Sequence, residues 1–148
     1  MVIFRPIAGK ARFACAAVIL ALLAGSGPVR ATDQFPYDQT LMLDVKPMPP
    51  VKRVPILTVE SNGNATIGLW CKTVRGRVEL AGDAIKIEAE PLPDSLPQYM
   101  VDGQCSDQRM AADQDTLSAL AQVTGWRRQG GAVVLTGVTQ LKFRPSSN

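Results

Sequence analysis

The chain has 148 residues, with 16 Lys and Arg, 13 Asp and Glu, three cysteines and no histidine. Without histidine it lacks the most common general base and the usual zinc ligand, and its cysteines are too few for a structural zinc site. Neither a glycine-rich phosphate loop nor a Gly-x-Ser-x-Gly nucleophile elbow occurs, so the familiar motif-borne chemistries drop out.

Arg5, Lys10 and Arg12 form a basic start, followed by an apolar stretch over residues 13–24. Gly25, Ser26, Gly27 and Pro28 break it, and Val29-Arg30-Ala31 places small residues where a signal peptidase reads. Residues 1–31 are therefore expected to be a signal peptide cleaved after Ala31, sending the protein to the periplasm or the extracellular space. The apolar stretch is too short to cross ~30 Å of hydrocarbon comfortably. Cys15 does not follow the apolar stretch, as a lipid-bearing cysteine would, and it leaves with the signal. Cleavage also removes four basic residues and no acid, so Thr32 to Asn148 carries 12 basic and 13 acidic residues, a net charge of −1. The basic pI of 8.9 thus belongs to the signal, and overall charge does not indicate nucleic acid as a partner. No later segment is long and apolar enough for a membrane span.

Residues 32–53 hold Pro36, Pro47, Pro49 and Pro50, which suggests an extended, proline-rich lead-in with one short strand at 41–45. The folded domain is expected over 54–145. Segments 56–60 and 65–71 flank Ser61-Asn62-Gly63-Asn64, and Asn62-Gly63 between apolar runs is a strong hairpin signal. A second hairpin turns at Gly82-Asp83. Pairing outward, Leu80 faces Ile85, Val78 faces Ile87 and Gly76 faces Ala89. On the other face Glu79 meets Lys86, Arg77 meets Glu88 and Arg75 meets Glu90. A slip of one residue would destroy both patterns, so this register is well specified and the charged face is expected in water.

Pro91, Pro93 and Pro97 then make a loop, with a short strand expected at 99–101. Residues 107–123 follow helical spacing, with Met110, Leu117, Leu120 and Ala121 on the expected inner face. Asp113 or Asp115 is the expected cap and Gly125 the expected stop. The tail reads as strands at 125–129, 132–136 and 139–144, with a turn at Gly130-Gly131. The expected fold is mostly β (α+β): a strongly curled antiparallel sheet or small β-barrel with one α-helix, in a single domain.

Cys71 and Cys105 are the cysteines left after cleavage. In an oxidising compartment they are read as a structural disulfide, closing a loop worth roughly 3–4 kcal/mol in the chain-entropy model. Asp102, Asp107, Asp113 and Asp115 surround Cys105 but match no calcium loop, and acids near a helix start favour its dipole. Trp70 is the candidate interaction residue: alternation turns it away from the face of Cys71. It is then either an exposed apolar anchor or covered by the lead-in or the 91–98 loop.

Leu69-Trp70-Cys71-Lys72, then Gly76, then Val78-Glu79-Leu80-Ala81-Gly82-Asp83-Ala84-Ile85-Lys86-Ile87 resembles the central motif of the META domain family. The second half is similar as well: Cys105, a helix with Leu117 and Leu120, Val133-Val134-Leu135, and Leu141-Lys142-Phe143. Lys72 stands where the family usually has Asn, and Gln104 precedes Cys105 where Ala is usual. The resemblance covers about residues 54–144. It implies a small β-barrel-like domain with a helix, in a secreted or envelope-associated protein linked to stress, from a family with no established catalytic activity.

The expected function is thus a non-catalytic exported envelope domain, stress-related and acting by contact with an unknown protein or cell-envelope partner.

 The alternatives are a small-ligand-binding barrel, which needs a cavity lined by residues such as Ile67, Val78, Ile87 and Leu135, and a secreted protease inhibitor using the proline-rich segment. No cofactor, metal or nucleic acid is expected, and the chain is expected to be a monomer.

Overall fold

The computed structural model describes residues 34–96 and 103–147. The expected signal peptide and its cleavage site, the strand expected at 99–101, and Asp102 lie outside the described residues.

Eight strands follow one another around a closed barrel: β1 (Thr40–Leu43), β2 (Ile56–Val59), β3 (Asn64–Gly68), β4 (Thr73–Ala81), β5 (Ala84–Ala89), β6 (Val123–Gln129), β7 (Ala132–Gly137) and β8 (Leu141–Pro145). Each is antiparallel to the next, and β8 returns to β1. One helix, α1 (Asp107–Ala121), is inserted between β5 and β6. The mostly-β expectation of a small barrel with one helix holds.

Period-two alternation explains the core. Leu41 and Leu43, Leu57 and Val59, Ala65 and Ile67, Val74 and Val78, Ile85 and Ile87, Val133 and Leu135, and Phe143 all turn inward, each at most 7% exposed. The segment expected as a separate lead-in is corrected here. β1 lies within residues 32–53 and pairs with both β2 and β8, so it closes the barrel. It stops at Leu43, where the Val45 N–H turns back to the Leu43 carbonyl at 2.9 Å.

The β4–β5 hairpin has the expected register, from Leu80 opposite Ile85 to Gly76 opposite Ala89. The Glu90 N–H extends it by donating to the Arg75 carbonyl at 2.9 Å. Its charged side chains lie in water, as expected from the alternation. The ion pair that forms runs along β5, from Lys86 to Glu88 at 2.5 Å, rather than across the strands. It raises the Lys86 pKa and lowers that of Glu88.

Gly63 has a φ of +87°, and a Cβ there would lie 2.9 Å from the Val78 carbonyl oxygen, so the first hairpin turn needs glycine. Asn62 supports it by accepting from the Asn64 N–H at 2.8 Å. Gly82, beside Asp83, and the Gly130-Gly131 pair also have positive φ in their turns.

The β5–β6 seam is thin, with Ala84 opposite Gly125. Trp126 reinforces it: its backbone N–H donates to the Asp83 carbonyl at 2.8 Å and its indole N–H to the Gly82 carbonyl at 2.8 Å. Phe35 packs edge-on against the same indole, with ring centroids 5.2 Å apart. Gly125, the expected helix stop, belongs to β6; the helix ends at Ala121 with Gln122 as its cap.

Candidate functional site

The helix start differs from expectation in an informative way. Ser106 is the N-cap, accepting from the Arg109 N–H at 3.3 Å, so Asp113 and Asp115 are interior helix positions. The buried face is Arg109, Asp113, Thr116 and Leu120. Of the expected inner residues, Leu120 is buried, Met110 and Leu117 are half-buried, and Ala121 is exposed. The helix therefore meets the barrel through a largely polar stripe at i, i+4, i+7 and i+11.

Those polar groups answer the backbone of the bend after β3. Arg109 Nη2 donates to the Trp70 carbonyl at 2.6 Å, and Nη1 donates to the carbonyls of Met48 at 2.5 Å and Val51 at 3.3 Å. Its guanidinium lies over the Trp70 ring, 5.6 Å from the centroid, which suits a cation–π contact. Asp113 accepts the N–H of Cys71 at 3.0 Å on Oδ1 and that of Lys72 at 2.9 Å on Oδ2. The Trp70 indole N–H donates to Thr116 Oγ1 at 3.3 Å. Cys71 and Cys105 form a disulfide with Cα atoms 5.7 Å apart, so the bend and the segment leading into the helix are also joined covalently.

Burial sets the electrostatics of this junction. Desolvation lowers the Arg109 pKa, with nearby Arg53 adding to the effect and Asp113 opposing it. Desolvation raises the Asp113 carboxyl, against the backbone N–H groups and Arg53 that favour its charged form. The Asp113 oxygens and the two terminal nitrogens of Arg109 all meet backbone partners, while Arg109 Nε is buried without one among the described residues. The arrangement is a clamp, fixing the helix to the barrel.

Trp70, singled out as a possible exposed anchor, is 6% exposed. That reading is corrected: the indole is covered by α1, through Thr116 and Arg109, rather than presented to a partner. Alternation failed because β3 ends at Gly68, so Leu69, Trp70 and Cys71 lie in a bend where all three are buried. The acidic residues near Cys105 do not gather on one surface. Asp107 and Asp115 are exposed while Asp113 is buried, and among the described residues no group of three potential metal ligands occurs.

The barrel interior is occupied by side chains. Ile67, Val78, Ile87 and Leu135 are 0–4% exposed and belong to one packed cluster. Concave surface is found outside. A groove of about 610 Å³ crosses β3, β4 and β5, floored by Ala65, Gly76 and Ala89. Asn64, Arg77 and Glu88 flank it on one side, and Thr66, Arg75 and Glu90 on the other, so its charges nearly balance. A second hollow of about 310 Å³ lies where β1 meets β8, lined by Met42, Val45, Pro47, Val54 and Pro145 with Lys52 and Arg144.

Sequence reasoning missed Arg109, Thr116 and the role of Asp113. Their spacing along one helical face was available as a signal, but polar residues at that spacing ordinarily mark the solvent side.

A solved structure titled "Crystal structure of a duf4847 family protein from Bacteroides vulgatus ATCC 8482" is similar at 13% identity and a TM-score of 0.46. The similarity covers 64% of this chain and 60% of that one, so the chain spans less than two thirds of that protein's length. No curated protein matches the sequence. The META domain matches residues 39–148, a range that includes β1, all the other strands and the helix clamped by Arg109 and Asp113. The chain belongs to the META domain family.

Proposed function

We propose that the protein is a non-catalytic META domain of the cell envelope, exported and oxidised, which acts under stress by contact through its outer surface with a protein or envelope partner. The observation that carries this reading is the packed interior: the residues that would line a carrier cavity fill it instead. The disulfide and the Arg109–Asp113 clamp support it by making the barrel a rigid scaffold. A compartment that keeps Cys71 and Cys105 oxidised is the setting such a bridge suits.

The test has two parts. Mass spectrometry of protein exported from the full chain should show a start at Thr32 and the loss of two hydrogens; an uncleaved chain or free thiols would contradict export. Methyl NMR should then give the same Ile67, Val78, Ile87 and Leu135 signals before and after unfolding and refolding with the disulfide intact. Signals that move on refolding would reveal a cargo stripped from inside the barrel and overturn the contact reading.

A further inference from the structure

The hollow between β1 and β8 differs from the rest of the surface. Among the described residues three large hydrophobic side chains are exposed, and two of them, Met42 at 39% and Val45 at 42%, line this one hollow. Met42 stands opposite Arg144 in the β1–β8 register, so apolar and cationic side chains are adjacent on the outer sheet face. Lys52 lies on the other rim. Lys46 is exposed in the same segment, and Lys142 lies on β8 two residues before Arg144. The acid on this face is Asp44, which pairs with Arg144 and lies 3.8 Å from Lys142. Arg144 and Lys142 thus share one carboxylate while Lys52 lines the hollow without an acid beside it in that lining, on a chain whose residues from Thr32 onward carry a net charge of −1.

From this juxtaposition we propose that the hollow is a binding site for an anionic amphiphile, a hydrocarbon chain ending in a phosphate or carboxylate. Lys52 and Arg144 receive the head, and Met42, Val45 and Val54 receive the first methylenes. A free anion would leave Met42 and Val45 in water, and a neutral apolar ligand would make no use of the charge on Lys52; only a ligand with both features uses both. At about 310 Å³ the hollow is at the small end of ligand cavities, roughly 300–1,000 Å³, so the remaining chain lies outside it. The groove over β3, β4 and β5 is larger, but its nearly balanced charges and polar walls select no such ligand. The proposal rests on binding at the outer surface.

The experiment is an NMR titration of the oxidised protein with dihexanoylphosphatidylglycerol below its micelle concentration, and with dihexanoylphosphatidylcholine as the net-neutral control. The expected result is saturable shifts at Met42, Val45, Val54, Lys52 and Arg144, at least tenfold tighter for the anionic lipid. Lys52→Glu, an exposed change, should weaken binding at least tenfold, since reversing a full charge beside the anionic head turns an attraction into a repulsion of similar size. Asp44→Asn should tighten it several-fold by releasing Arg144. Equal binding of both lipids, or binding to anionic vesicles with none to the monomeric lipid, would overturn the proposal; the second would indicate general attraction to a charged surface. Shifts centred on Ile67, Val78, Ile87 and Leu135 would overturn the outer-surface reading as well, whereas no lipid binding with those methyls unchanged on refolding would leave that reading standing alone.

Discussion

The β4–β5 hairpin and the junction between α1 and the bend after β3 both place charged side chains against the barrel, with opposite consequences. On the hairpin, register is set by Val78, Leu80, Ile85 and Ile87 beneath, and the charges above lie in water. At the junction, Arg109 and Asp113 are fully buried, and each satisfies backbone groups of another segment. Exposed ion pairs contribute little to stability, whereas an unpaired buried polar group is costly. Charge on the hairpin is therefore expendable, and charge at the junction is not.

The largest effect should come from Arg109→Ala. It leaves the carbonyls of Met48, Val51 and Trp70 without their donor and opens a cavity over the Trp70 ring, for a loss of about 3–5 kcal/mol in urea unfolding. A loss below about 1 kcal/mol would end the contrast. Replacing both Cys71 and Cys105 by Ser opens a link spanning 34 residues and should cost about 3–4 kcal/mol. Wild type with a reductant should show the same loss.

Asp113→Asn should cost about 1–3 kcal/mol at neutral pH, because one carboxylate oxygen is replaced by an NH₂ group facing a backbone N–H. Its pH dependence gives a sharper test. Burial raises the Asp113 pKa, so the folded chain holds that proton more tightly than the unfolded chain. Stability from this group is therefore present at low pH and is lost as pH rises through the folded-state pKa. The gap between wild type and Asp113→Asn should widen on acidification, measured by unfolding at a series of pH values; a gap that narrows would mean the carboxylate is net stabilised by its N–H partners. The smallest effect belongs to Lys86→Ala, which breaks the exposed Lys86–Glu88 pair and should leave the unfolding midpoint unchanged within error.

The same contrast explains what could be read from the sequence. The β4–β5 register was legible because two local patterns, apolar alternation and opposite charges, agree around one turn. The bridge between Cys71 and Cys105 was legible from the reading of export. The helix face was not, because Arg109 and Asp113 take meaning only from carbonyls and N–H groups some forty to sixty residues away in the chain. Trp70 was misjudged for a related reason: alternation was carried past Gly68, where β3 ends. The outer hollow was also out of reach, since Met42 and Arg144 become neighbours through the pairing that closes the barrel between its first and last strands.

The most direct measurement compares Lys52→Glu with Lys86→Glu in the titration with dihexanoylphosphatidylglycerol. Both substitutions change the net charge by the same amount, one at the hollow and one on the hairpin. A site at the hollow predicts that Lys52→Glu weakens binding at least tenfold while Lys86→Glu changes it less than twofold. Equal weakening by the two would contradict a defined outer site and leave only general attraction between charges.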